Sequence, residues 1–227
     1  MPTAVQLAGA AFVNPLFKPL PTIAGITAWS YWGGSLALSQ NVITAGGAYT
    51  NFGPGPTWSA NYGHCVYGVS QIQTAIAGNG PAQTFLSVAR FVAGGTGAFA
   101  SLAAQGSVVP SLSSVQTQVT AAGVASPTAV TLAGTTTVFK FYAWEAGGGN
   151  AAFVYNLTDN TNATGGTAGN ITGGATLYTF GGGAAGGNTN QCDIAFLAHY
   201  NAFVSKANID LIYAHVKDVM TARGITV

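Results

Sequence analysis

The carboxylates of this chain are few enough to weigh one by one: Glu145, Asp159, Asp193, Asp210 and Asp218. A retaining glycosidase needs two of them about 5 Å apart, commonly presented along one strand. No E-x-D-x-x-E run is present. Glu145 follows Trp144 but has no acidic partner nearby in sequence, so it reads as a loop acid. Asp210 and Asp218 fall in a predicted helix and read as solvated. Asp159-Asn160-Thr161-Asn162 is the one cluster rich in the oxygen ligands calcium needs, and it reads as an Asx turn. His64, His199 and His215 are dispersed. His64 and its neighbour Cys65 would face opposite sides of a strand, which does not make a zinc site. A G-x-S-x-G elbow and a P-loop are both missing. These residues predict no enzyme, no metal and no cofactor.

Aromatic side chains are the remaining resource. Trp29, Trp32, Trp58, Trp144, Tyr31, Tyr49 and Tyr62 lie in or beside predicted loops. Such rings stack on sugar faces, and they also anchor protein interfaces. Trp32, Trp58, Trp144 and Tyr31 are the candidates for glycan or subunit contact, while for any single one of these rings a place in the core or a subunit contact is the more ordinary reading.

Charge limits the partners. Only 5% of residues are charged and the net charge is +1, against roughly 25% charged residues in an average soluble domain. So few cations cannot hold nucleic acid by counterion release, nor an anionic bilayer by a basic patch. Weak repulsion between copies favours self-association. Mean hydropathy is +0.37, yet Gly, Thr, Ser or Pro interrupts every apolar run before the ~18 residues of a membrane helix. A transmembrane barrel would need charged loops and a charged lumen, for which this chain has little to offer. No membrane insertion is expected. Two cysteines, Cys65 and Cys192, make no disulfide framework and read as buried thiols, with one disulfide left open.

The elements that must position these residues are mostly strands. Residues 1–22 contain Pro15, Pro19 and Pro21 and lack a basic residue before Lys18. They read as an extended arm rather than a secretion signal. Phe12, Val13, Leu16 and Phe17 would be its assembly contacts, because the arm cannot bury them itself. Residues 23–227 read as one domain. Ile23–Trp32 alternates Ile26, Ala28, Ser30 and Trp32 against Thr27, Trp29 and Tyr31. Further strands are predicted at Gly63–Gln73, Gln83–Val92, Phe99–Val109 (a hairpin neighbour of the preceding one), as a weak strand pair in Val115–Val124, as two strands in Ala129–Trp144, and at Ala151–Leu157. Thr158–Gly187 is nearly low-complexity, with one strand island at Ala175–Phe180. Asp193–Tyr200 is the last strand. A helix over 205–222 follows, with Ser205 as N-cap, an apolar stripe of Ile209, Ile212, Tyr213, Val216 and Val219 or Met220, and Gly224 at C′. Many short strands between turn signals predict an all-β sandwich or barrel.

The ending resembles the C-terminal signature of concanavalin A-like (LamG-type) jelly-roll domains, through Ile194, Tyr200-Asn201, Ser205, Ile209, Val216 and Arg223-Gly224-Ile225. Pro21–Trp29 is similar to the opening strand of that family, and Gln83–Arg90 to a middle strand. The resemblance implies a concanavalin-like jelly-roll β-sandwich with an N-terminal arm and a short C-terminal amphipathic helix. Tyr31-Trp32-Gly33-Gly34 stands where calcium-binding members carry Asp-rich loops. In this respect the chain is similar to phage and prophage virion versions of the fold. The resemblance therefore implies a non-enzymatic virion protein, a capsid decoration or a tail or fibre component. Its partners would be other virion proteins and copies of itself. The alternative is a lectin-like module that binds host-surface glycan. The terminal strand and helix are expected to identify the fold without carrying function.

Overall fold

The computed structural model describes residues 19–66, 68–80, 82–94, 97–98, 100–101, 108–121, 128–168, 171–181 and 191–227. Phe12, Val13, Leu16 and Phe17 of the predicted arm lie outside the described residues.

The strands, in chain order, are β1 Ile26–Tyr31, β2 Thr50–Phe52, β3 Thr57–Trp58, β4 Gly63–Val66, β5 Gln71–Gly80, β6 Ala82–Ala93, β7 Gly97–Ala98, β8 Ala100–Ser101, β9 Val108–Ser113, β10 Gln116–Ala121, β11 Thr128–Ala133, β12 Lys140–Gly147, β13 Asn150–Asn156, β14 Thr161–Ala168, β15 Ile171–Phe180 and β16 Gln191–Tyr200. One helix, α1 Lys206–Ala222, closes the chain. The largest sheet runs β14-β13-β12-β6-β16-β4-β3, with β1 also paired to β16, and its pairings are antiparallel. Two smaller sheets, β2-β5-β15-β8 and β11-β10-β9-β7, make the opposing layer.

Both faces of the large sheet are covered. Toward the smaller sheets it buries Trp32, Phe85, Tyr142, Trp144, Ile194 and Leu197 against Ile72, Val119, Tyr178 and Phe180. On its outer face Leu86, Val88, Phe141 and Phe196 pack under Ile209, Ile212, Val216 and Met220 of α1. This is why β16 reads as a nearly continuous apolar run rather than an alternation. Helix α1 begins where Ser205 Oγ accepts the Asn208 N–H. It ends where the Gly224 N–H donates to Thr221 O and the Ile225 N–H to Met220 O, with Gly224 at φ +74°. That closure is a Schellman motif, and its left-handed residue favours glycine. Among the described residues, no helix is long and apolar enough to cross a membrane.

The all-β sandwich with a C-terminal helix matches the predicted class, and from Ala28 onward the two faces of β1 divide as the alternation implies; Ile26, before a register shift, packs with Trp29 and Tyr31 instead of with Ala28 and Trp32. Three local expectations differ. The segment after β6 is not its neighbour; β6 lies between β12 and β16, because the chain leaves that sheet and builds the opposing layer. Gly63–Gln73 divides into β4 and the start of β5, folded back at Val66 and Ser70. Thr161–Ala168, which composition marks as loop, is the edge strand β14. Its ladder with β13 holds it, a backbone contribution that side-chain propensity does not report.

Candidate functional site

On the outer face of the large sheet, beyond the end of α1, one row of residues crosses several strands. Register sets Asp193 of β16 opposite His64 of β4 and opposite Arg90 of β6. Lys140 of β12 lies opposite Ala89, which brings Phe139 beside Arg90. Asp193 Oδ1 lies 2.7 Å from His64 Nδ1. Its Oδ2 accepts from Arg90 Nε at 2.7 Å and lies 2.7 Å from Nη2. The Asp193 side chain is only 3% exposed, whereas Arg90 is 34% exposed. The carboxylate is thus consumed in fixing the Arg90 guanidinium and the His64 imidazole, and the guanidinium reaches solvent.

Rings cover that guanidinium. Its carbon lies 4.7 Å from the Phe139 ring centroid and 5.5 Å from that of Tyr62. The two rings are 5.5 Å apart. Both distances allow cation–π attraction. A tight turn presents Tyr62: its N–H donates to Ser59 Oγ, and the Ser59 N–H donates to Tyr62 O. Asn61 Nδ2 donates to Arg223 O at 2.7 Å, which ties this turn to the end of α1. Arg223 donates in turn to Trp32 O at 2.5 Å and to Ala195 O at 3.3 Å. Between the turn, the sheet and the helix end lies a depression of about 470 Å³, lined by Asn61, Tyr62, Arg90, Phe139, Arg223 and Thr226 among others. It sets guanidinium and amide donors beside aromatic faces.

The aromatic residues singled out in sequence do not form this site. Trp32 and Trp144 have no exposed surface and Tyr31 is 6% exposed. Trp32 Nε1 donates to Ser30 Oγ, and Trp144 Nε1 to Thr117 Oγ1. As glycan contacts these three are corrected: they are core residues of a sheet covered on both faces. Trp58 is half-buried and packs against Trp32, with centroids 5.8 Å apart. Glu145 is corrected too. It lies within β12 rather than in a loop, 3% exposed, and accepts from Thr84 Oγ1 and the Val204 N–H. Burial raises its pKa to about 7, while those two hydrogen bonds pull it down. Asp159 sits in the expected Asx turn, where its N–H donates to Asn156 Oδ1, and it pairs with Lys140. Cys65 faces the interior while His64 faces outward, as strand alternation requires. Cys65 lies opposite Cys192, and both thiols are free and buried. The terminal stretch, expected to identify the fold without carrying function, lines the depression through Arg223 and Thr226, with Asp193 behind Arg90.

Sequence reasoning missed Tyr62, Arg90, Phe139 and Arg223 as a group. One signal was present. In a chain with six cations, an arginine inside an otherwise apolar strand stands where a charge is costly unless paired.

The fold is an antiparallel β-sandwich with this depression on its surface. No family model matches the chain, and no curated protein matches it. Solved structures share its fold. A structure of botulinum neurotoxin type C, which depends on interaction with two ganglioside molecules to enter cells, matches with TM-score 0.63 at 7% identity, over 87% of this chain and 53% of that one. The binding domain of botulinum neurotoxin DC in complex with SialylT matches with TM-score 0.62 at 7% identity, over 84% and 51%. Trypanosoma rangeli sialidase in complex with 2,3-difluorosialic acid matches with TM-score 0.63 at 14% identity, over 88% and 34%. The chain spans about half the length of the neurotoxin chains and about a third of the sialidase. At these identities the likeness is one of fold.

Proposed function

We propose that this chain is a non-enzymatic, lectin-like carbohydrate-binding module whose ligand seats in the depression between Tyr62, Arg90, Phe139 and Arg223. The observation that carries it is the meeting of two guanidiniums with two aromatic rings in one open concavity. Sugars are recognised by that pairing of stacking faces and directed donors. The structural neighbours support a binding role by analogy of fold, since the neurotoxin structures concern gangliosides and SialylT. The five acids support a binding role over hydrolysis. None lines the depression; Asp193 is held by Arg90 and His64, and Asp159 and Asp210 pair with Lys140 and Lys206. Screening the chain on a glycan array, beside Tyr62→Ala, tests this. Binding that disappears in Tyr62→Ala with an unchanged melting temperature supports it. An array without signal, or signal indifferent to Tyr62, refutes it.

A second proposal is that the module works as part of a phage virion, in several copies and against other virion proteins. Exposed Leu38, Val69 and Phe52 on a body with few charges favour contact between copies. Deleting residues 1–20 should then abolish incorporation while the body stays folded. A truncated chain that assembles normally would sink the proposal.

A further inference from the structure

The walls of the depression carry charge of one sign, and that selects among sugars. The chain has two arginines, Arg90 and Arg223, and both line this one concavity, which no carboxylate among the described residues lines. Asp193, behind Arg90, offsets one of the two charges; one positive charge remains. The negative end of the α1 dipole also points here and would oppose an anion. Its carbonyls are largely occupied: Val219 O and Met220 O accept from the Arg223 N–H, Thr221 O from the Gly224 N–H, and Arg223 O from Asn61 Nδ2. Asp193 takes the Nε edge of the Arg90 guanidinium, so the Nη1 side remains for a ligand.

We infer that the ligand of this pocket is an acidic sugar, a ring bearing a carboxylate or sulfate. Its anionic group meets Arg90 and its ring face meets Tyr62. The inference rests on the glycan function proposed above. A bare phosphate would use the guanidiniums but leave the aromatic wall idle. A neutral sugar would use the rings but shield a guanidinium from water without replacing its lost hydration, which disfavours it. A carboxylate or sulfate on a ring satisfies both halves.

The test uses the full chain and NMR titration with methyl glycosides of uronic acids, nonulosonic acids and sulfated hexoses. Each is run beside its neutral methyl ester or desulfated form, with inorganic phosphate as a separate arm. The expected result is that at least one acidic glycoside binds about tenfold or more tightly than its neutral counterpart, one charge-assisted hydrogen bond's worth. High salt should weaken the acidic form selectively, and Tyr62→Ala should remove both. Because the comparison is between ligands on the unaltered protein, it does not depend on how well a variant folds. If neutral and acidic forms bind alike and both need Tyr62, the acidic inference falls and the glycan function stands. If phosphate binds as tightly as the acidic sugars, the ring contact adds nothing and the inference also falls. If no sugar shifts resonances around this pocket, both fall together.

Discussion

Asp193, Glu145 and His199 are buried ionisable groups, and each is handled differently. Asp193 is held between the Arg90 guanidinium and the His64 imidazole. Truncating Arg90 to alanine removes the partner of Oδ2 and leaves only His64 on this buried carboxylate; losing one partner of a buried polar group costs about 1–3 kcal/mol, and urea unfolding of Arg90→Ala should show a loss of that order. Glu145 and His199 oppose one another in their effect on pH dependence. Burial lifts Glu145 from an ordinary 4.5 to about 7, so the folded chain holds a proton the unfolded chain releases. Its contribution to stability is full below pH 4.5 and is lost as pH rises through 7. Burial lowers His199 from 6.5 to about 3. Its contribution is full above pH 6.5 and is lost as pH falls through 3. Between pH 4.5 and 6.5 the two slopes cancel. Glu145→Gln should therefore make stability rise with pH across that window, by up to about 1.4 kcal/mol per pH unit. His199→Gln should make it fall by a similar slope. Denaturant midpoints measured across the window decide this; variants as flat as the parent chain would contradict it.

At the scale of elements, the terminal helix and strand are the structural keel. Helix α1 was legible in sequence because its stripe at i, i+3, i+4 and i+7 has one physical cause, a single buried face, and Ile209, Ile212 and Val216 are indeed fully buried. Ile212→Ala should cost about 2–4 kcal/mol, the range for a deleted core aliphatic side chain, read from the denaturant midpoint. Leu211, its neighbour in sequence but 59% exposed, should tolerate alanine within about 0.5 kcal/mol. If both cost the same, the helix does not pack as described. The site was not legible in this way. His64, Arg90 and Asp193 meet only through the registers of β4, β6 and β16, and pairing between segments so distant in sequence leaves no local period. The tryptophans misled for a related reason. Trp32 and Trp144 stand beside glycine turns in sequence, but the opposing sheets and α1 cover both faces of their sheet, so a position next to a turn did not mean exposure. Gly33 shows how closely these layers meet the pocket. At φ +149°, a Cβ there would sit 2.4 Å from Ala60 O and 2.7 Å from Arg223 Nη2.

For the whole molecule, the scarcity of charge is informative once the structure places the charges. Most of the acids are spent on cations of the same chain: Asp193 pairs with Arg90, Asp159 with Lys140 and Asp210 with Lys206. Both arginines gather at one concavity, on the side of the sheet that carries the helix. A second cavity, about 230 Å³ beside Thr27, Ala77 and His199, lacks arginine and the phenyl and phenol faces of the first. The measurement that bears most directly on the proposed function is a glycan titration followed by amide NMR across the folded chain. The perturbed amides should cluster at Asn61, Tyr62, Arg90, Phe139 and Gly224–Thr226 and saturate with ligand. Perturbation confined to the cavity beside His199, or spread evenly over the surface without saturation, would contradict the assignment of the binding site.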